Sequence, residues 1–139
     1  MTSLTPQQHD RAVGVLLASA AGDALGVPYE FGVAALFGEP EQIGGGLGGI
    51  APGQWSDDTE MACVIAEVAA TGADLRTPEA LEAVAQGFLR WIADGPAAVG
   101  AQTRHVLRRT GKGAGAAVRM TAAAEALHQE TATRPATAR

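Results

Sequence analysis

Apolar residues in this chain recur in separate blocks at three- and four-residue intervals, the spacing of one face of an α-helix. Val13, Leu16, Leu17, Ala20, Ala21 and Ala24 share one such face. Ahead of them, Thr5-Pro6-Gln7-Gln8 supplies an N-cap, a proline at the first helical position and a glutamine placed to return the capping hydrogen bond. A helix over 6–24 is predicted, with Gly14, Ala18 and Ser19 small enough to admit a second helix closely. A second stripe, Met61, Val64, Ile65, Val68 and Ala69, predicts a helix over 57–71, closed by Gly72. The cleanest stripe is Leu81, Val84, Ala85, Phe88, Leu89 and Ile92, between Thr77-Pro78 and Asp94-Gly95-Pro96, and predicts a helix over 78–93. A fourth helix over 100–110 turns Val106 and Leu107 inward and places Arg104, Arg108 and Arg109 toward its C-terminal end. Beyond a flexible Lys112-Gly113-Ala114-Gly115 the signal thins, with Val118, Met120 and Leu127 the residues to bury in a helix over 116–128. Residues 131–139 read as a frayed tail after a single domain over 1–130.

Between the first two helices, Gly26 to Trp55 sustains neither a helical nor an alternating period and carries Pro28, Pro40, Pro52 and the run Gly44-Gly45-Gly46-Leu47-Gly48-Gly49. Loops of this length are either functional or disordered. Phe31, Phe37, Ile43, Leu47 and Ile50 are expected to pin this one by packing. The glycines lack the Lys-Ser/Thr ending of a P-loop and a preceding strand, so they do not identify a phosphate cradle. No strand pattern and no internal repeat emerge, and the fold class is all-α.

Composition narrows the function. The 139 residues are 47% hydrophobic and 18% charged, which suits one globular domain and argues against disorder. A net charge of −5 argues against nucleic acid or an anionic membrane as partner. The apolar stretch Ala12 to Gly22 is too short to span a bilayer, and Met1 to Asp10 lacks a basic leader, so no membrane partner and a cytoplasmic location are expected. One cysteine, Cys63, excludes an internal disulfide and suggests a small core or interface residue. His9, His105 and His128 share no metal-ligand spacing. Aromatics at 4% and 18 glycines favour closely approaching helices over a bulky core.

The chemistry-bearing cluster is Trp55-Ser56-Asp57-Asp58-Thr59 at the start of the second helix. Two readings stand side by side. Ser56 or Asp57 can serve as N-cap, with Asp58 and Glu60 complementing the helix dipole. Alternatively, the adjacent carboxylates and hydroxyl are oxygen ligands of the kind hard cations such as Mg²⁺ and Mn²⁺ choose. Asp23 reads as a structural group at a helix end, and Trp55 as a residue packing the loop against the helix start.

Gly22-Asp23-Ala24-Leu25-Gly26-Val27-Pro28-Tyr29-Glu30-Phe31, then Ser56-Asp57-Asp58-Thr59 and Val99-Gly100-Ala101-Gln102-Thr103, together resemble the N-terminal half of the ADP-ribosylglycohydrolase family, also called the dinitrogenase reductase-activating glycohydrolase family. The resemblance covers Ala12 to about Thr110. It implies an orthogonal all-α domain around two Mg²⁺ or Mn²⁺ ions that hydrolyses the bond between ADP-ribose and a side chain or other acceptor. By carry-over, Ser56, Asp57 and Asp58 are metal ligands, Asp57 and Asp58 belong to the catalytic centre, Glu30 is a catalytic and substrate-facing group serving as base or gate, and Gly100 lines the substrate cleft. Without the resemblance, Glu30 is an exposed loop carboxylate. Ala98 stands where relatives usually carry Asp. A second acidic motif and a Gly-Asn-Gly motif of the family have no counterpart here, so the domain reads as truncated and the metal site as at most partial. An ADP-ribosylated protein or ADP-ribose-type molecule is the expected ligand, and a separate C-terminal polypeptide is a candidate partner. The alternatives are a non-catalytic remnant that binds ADP-ribose or a helical partner, and an unrelated helical scaffold.

Overall fold

The computed structural model describes residues 4–32 and 38–132. Five α-helices follow in order: α1 (Pro6–Gly26), α2 (Asp57–Ala70), α3 (Pro78–Ala93), α4 (Ala101–Thr110) and α5 (Ala116–Ala132). A short 3₁₀ turn, Val27–Gly32, continues α1, and the only β-type pairing among the described residues is an isolated bridge between Gly45 and Ile50. The architecture is all-α, as the periodicity predicts.

The helix starts follow the capping chemistry. Thr5 and Gln8 form the reciprocal capping box, Ser56 caps α2, and Thr77 caps α3 ahead of Pro78. α1 runs two residues past the predicted end, because Gly26 adopts helical geometry and the Val27 N–H still reaches the Asp23 carbonyl. α5 takes in Thr131 and Ala132, which the sequence assigned to the tail. Thr131 Oγ1 donates back to the Leu127 and His128 carbonyls and Arg109 pairs with Glu130 at 2.8 Å, so this end is held.

α3 is the central element, packed against α2, α4 and α5, while α1 touches α2 and the 3₁₀ turn alone among the helical elements. The α2–α3 approach is set by Gly87, where a Cβ would stand 2.4 Å from Val64 Cγ1. Trp91 Nε1 donates to Glu60 at 2.7 Å across the same interface. The segment between α4 and α5 is ordered by Arg119, whose guanidinium donates to the carbonyls of Thr110, Ala114 and Gly113, in place of the flexible linker expected there.

Glu82 on α3 closes the start of α5. Its carboxylate accepts from Ala117 N at 2.9 Å, Gln86 Nε2 at 2.9 Å and Ala116 N at 3.1 Å. These donors, the Ala117 N–H foremost, hold its pKa down to about 2. A carboxylate placed by tertiary packing thus replaces the side-chain cap that the sequence before Ala116 lacks.

The core is thin and built from small residues. Its buried apolar members are Ala24, Val27, Ile50, Ala80, Ala85, Leu107, Ala116 and Ala123. Several predicted inward residues face solvent instead: Val13, Leu16 and Leu17 on α1, Ile65 on α2 and Leu81 on α3. Cys63, expected in a core or interface, is exposed as well. In the long loop, Ile50 is buried, but Phe31, Ile43 and Leu47 are exposed, and Phe37 lies outside the described residues. The loop is pinned by other means: the Tyr29 hydroxyl bonds both the N–H and the carbonyl of Glu41, and Gln42 donates to the Ala21 carbonyl.

The expectation that no apolar segment is long enough to span a bilayer needs correction. Pro6–Gly32 is 27 residues and holds an 18-residue stretch of mean hydropathy 1.4, long and apolar enough by length and composition, because the 3₁₀ turn follows α1 directly, although the backbone leaves helical geometry at Glu30 and Phe31. Length and composition alone are weak grounds, since a helix buried in protein passes the same test.

Two outcomes are expected. Gly87→Ala forces Val64 aside and lowers stability by about 1–3 kcal/mol in urea unfolding, and an unchanged or raised midpoint would show that helix propensity outweighs the clash. Because Glu82 is depressed in the folded state, its stabilisation is complete above about pH 4.5 and is lost as pH falls toward 2. The difference in thermal midpoint between wild type and Glu82→Gln, followed by circular dichroism, should therefore shrink across that window. A difference independent of pH would rule out the charge as the stabilising feature.

Candidate active site

The site is organised by a residue that the sequence marked as structural. Asp23, in the last turn of α1, accepts four hydrogen bonds from the start of α2: Ser56 N at 3.0 Å, Ser56 Oγ at 2.7 Å, Thr59 N at 3.1 Å and Thr59 Oγ1 at 2.6 Å. Burial alone would raise the pKa of Asp23, but these donors outweigh it and leave the carboxyl below its ordinary range. The two hydroxyl residues, Ser56 and Thr59, are buried, and both sides of the junction are satisfied.

With Asp23 occupying the donors at the α2 start, the neighbouring carboxylates turn elsewhere. Asp57 Oδ2 accepts the Gly100 N–H at 2.9 Å and so ties the start of α4 to the start of α2. Asp58 is exposed, and its pKa is raised by partial burial and then by the charges of Asp57 and Asp23. Glu30, in the 3₁₀ turn, is raised in the same way, by burial first and then by Asp58, Asp23 and Asp57. The charges of Asp23 and Asp57 therefore bear on both Asp58 and Glu30, a concentration of negative charge that a cation would relieve.

Ser56 Oγ donates to Asp23 and accepts from Asp58 N at 3.4 Å, so it caps the helix and keeps one lone pair. The cap reading and the ligand reading of the Ser-Asp-Asp sequence are thus compatible for Ser56. Among the described residues, however, no group of three or more acidic, histidine or cysteine side chains converges closely enough to hold a metal ion. The donor set fits part of a hard-cation shell and not a whole one.

These groups open onto a cleft of about 910 Å³, bounded by the 3₁₀ turn, the glycine-rich loop, the start of α2 and one face of α4. Glu30, Ser56, Asp57, Asp58 and Gly100 all line it. The glycines shape its wall. A Cβ at Gly46 would stand 2.8 Å from the Val27 carbonyl oxygen, and one at Gly48 would stand 2.7 Å from that of Ala97 and 2.9 Å from Ala98 Cβ. Close approach of backbone to backbone explains Gly46 and Gly48, and the small Ala98 belongs to the same contact. Phe31 projects at the lip, 81% exposed with φ of 55°, an uncommon backbone conformation for a bulky residue. The expectation that it packs the loop down fails because this φ swings it outward.

A family model described as ADP-ribosylglycohydrolase matches residues 4–139. The chain belongs to the ADP-ribosylglycohydrolase family. Its match to the family continues through α4 and α5, past Thr110, where the motif resemblance stops. Among curated relatives, the ADP-ribosyl-(dinitrogen reductase) glycohydrolase of Rhodospirillum rubrum is 35% identical over 109 residues, 75% of this chain and 36% of the relative. The ADP-ribosylarginine hydrolase Tri1 of Pseudomonas putida (strain GB-1) is 44% identical over 66 residues, 47% of this chain and 18% of the relative. Tri1 of Serratia proteamaculans (strain 568) is 41% identical over 58 residues, 42% of this chain and 16% of the relative. The matched segment spans about a third or less of these ADP-ribosylglycohydrolase relatives.

The main signal missed in the sequence is the pairing of Asp23 with the Ser-Asp-Asp-Thr segment, which lies 33 and 36 positions away. Asp23→Asn in this ADP-ribosylglycohydrolase chain is expected to lower stability by about 2–3 kcal/mol, the scale of charge-assisted hydrogen bonds lost at one half-buried acceptor. The depressed pKa sets the sign of the pH dependence: the difference is full above about pH 3.8 and fades below it. Chemical denaturation of both proteins at pH 7 and pH 3 checks this, and equal stability at pH 7 would remove Asp23 from its organising role.

Proposed function

We propose that this chain supplies the ribose-facing part of an ADP-ribosylglycohydrolase centre, acting on the glycosidic bond between ADP-ribose and a modified arginine side chain of a protein. The observation that carries this reading is the convergence of Glu30, Asp57 and Asp58 on one cleft, anchored by Asp23 and by the bond from Gly100 N to Asp57. The matched relatives include hydrolases named for ADP-ribosylarginine, which supports arginine as the acceptor.

Asp57, Asp58 and the remaining Ser56 lone pair are the groups that would hold Mg²⁺ or Mn²⁺. Such an ion, when bound, supplies positive charge that orients ribose hydroxyls and lowers the pKa of a nearby water. Cleavage at the anomeric carbon builds oxocarbenium character, which the surrounding carboxylates stabilise electrostatically. Glu30, exposed at the edge of this centre, has a raised pKa, which suits a proton acceptor better than a carboxylate in its ordinary range would. Gly100 lets the ligand approach the start of α4 while its N–H stays engaged by Asp57. The same carboxylates also offer a cationic guanidinium acceptor a favourable field.

Because no three of these groups among the described residues come close enough together to hold an ion, the full centre would draw further groups from elsewhere, and a polypeptide carrying them is the partner this reading calls for. The unpartnered apolar residues of α1 are the surface on which it would pack. Without that contribution, the same observation favours a second reading, a module that binds ADP-ribose without cleaving it.

Calorimetry with Mn²⁺ should show weak binding to the 139-residue chain that Asp57→Ala/Asp58→Ala abolishes while helicity is retained. Absence of heat with the wild type leaves the helix-cap reading in force. An ADP-ribosylated arginine peptide should lose little or no ADP-ribose to the purified chain. Rapid release, reduced by Glu30→Gln, would overturn the need for additional ligands.

A further inference from the structure

The first turn of α2 is gripped from two sides. Thr59 is held by Asp23 of α1 through its N–H and its hydroxyl. Glu60, the next residue, accepts the indole N–H of Trp91 on α3 at 2.7 Å, and both of these side chains are half-buried. Among the described residues α1 and α3 do not touch each other, so this turn is where both act on α2. Successive residues of a helix point about 100° apart. With Thr59 and Glu60 fixed toward α1 and α3, the two remaining directions of the turn belong to Asp57 and Asp58. The cleft is arranged accordingly: Asp57 and Asp58 line it, and Thr59 and Glu60 do not.

A glutamate in the first turn of a helix complements the dipole and needs no partner on another helix. The bond to Trp91 goes beyond that. The contact of Val64 with Gly87 lies one turn further along α2 and one turn back along α3, so the two contacts are neighbouring rungs of one antiparallel pair. The Val64–Gly87 rung is steric and sets how closely the helices approach, while leaving α2 free to turn about its axis. The Glu60–Trp91 rung is directional. An indole N–H can only donate, and a hydrogen bond weakens steeply as it leaves its preferred angle, so this bond resists that turning. A carboxylate oxygen about 5 Å from the helix axis moves by about 3 Å when the helix turns by about 30°. That is enough to break the 2.9 Å bond from Gly100 N–H to Asp57 Oδ2.

We infer that Glu60 and Trp91 are a positioning pair that sets the rotation of α2 and so presents Asp57 and Asp58 to the cleft. Where it concerns cation binding, this rests on the reading of the site given above; where it concerns the Asp57–Gly100 bond, it stands on the geometry alone. The pair also keeps the third carboxylate of the turn away from the other two, because Glu60 is drawn toward α3 by an uncharged donor.

Two measurements on the full chain test the pair: hydrogen exchange of the Gly100 amide, followed by NMR, and calorimetric titration with Mn²⁺. Trp91→Phe removes the N–H and keeps an aromatic ring. Glu60→Gln keeps an acceptor without the charge, and Glu60→Leu removes both. Glu82→Gln, which loosens the start of α5 through contacts that do not involve α2, is the control for general stability. Circular dichroism establishes which variants are folded. In Trp91→Phe and Glu60→Leu the Gly100 amide should exchange at least about threefold faster. Mn²⁺ should bind both at least about tenfold more weakly, the scale seen when a group that orients metal ligands is removed. Glu60→Gln and Glu82→Gln should match the wild type in both measurements. Unchanged Gly100 exchange in Trp91→Phe overturns the pair. Equal losses in Glu60→Gln and Glu60→Leu overturn it as well, since the charge and not the bond would then matter, and so do equal losses in Glu82→Gln. If Trp91→Phe does not fold, the contrast between the two Glu60 variants decides. Faster Gly100 exchange in Trp91→Phe, with no Mn²⁺ binding by the wild type, upholds the pair and overturns the cation reading of the site.

Discussion

One carboxylate holds the site together. Asp23 gathers two backbone N–H groups and two hydroxyls from the first turn of α2, 33 and 36 positions further along the chain. A helix N-terminus ordinarily takes its caps from its own sequence. Here Ser56 takes the Asp58 N–H locally and Asp23, from another helix, takes those of Ser56 and Thr59, so the side chains of Asp57 and Asp58 are released from capping. Asp57 can then reach Gly100, and Asp58 can face the cleft beside Glu30. The site geometry therefore follows from a junction between helices and only secondarily from the acidic motif.

The same economy appears at α5. Glu82 reaches from α3 to the start of α5 as Asp23 reaches from α1 to the start of α2. In each case a carboxylate on one helix satisfies the orphan donors of another, and its pKa falls because the ionised form accepts the bonds. A chain with few aromatic residues and a core of mostly alanines has little dispersion energy with which to fix helix orientation. Directional bonds from charged groups to helix starts, and close contacts at Gly87, Gly46 and Gly48, do that work here.

The sequence is legible wherever one helix decides its own structure. Thr5, Pro6 and Gln8 announce α1, Thr77-Pro78 announces α3, and the apolar spacing of α3 states its period. It is not legible where a contact joins distant segments: nothing near Asp23 names Ser56 and Thr59 as its donors, and nothing before Ala116 points to Glu82. The glycine run illustrates the same limit, since its composition shows only that backbone must pass close to something. The structure identifies that something as the Val27 and Ala97 carbonyls. An apolar stripe likewise states that a face is suited to burial without stating what buries it, which is why Val13, Leu16 and Leu17 match the period and still face solvent. The carboxylates were readable as a cluster by the family resemblance, but the raised pKa of Glu30, from partial burial and then from the charges of Asp58, Asp23 and Asp57, depends on a turn that brings it back toward α2.

The apolar surface of α1 is suited to cover by protein better than by lipid. By length and composition the segment Pro6–Gly32 would reach across a bilayer. Asp23, though, lies inside that segment with its charge committed to Ser56 and Thr59, so inserting α1 would draw an ionised carboxylate and the start of α2 toward hydrocarbon. Charged groups at membrane depth are costly, and an opened helix start would leave backbone donors without partners. Packing of further helices on Val13, Leu16 and Leu17 carries no such cost, because it buries the stripe and leaves the Asp23 junction intact. The interaction that builds the site thus also restricts what can cover its supporting helix.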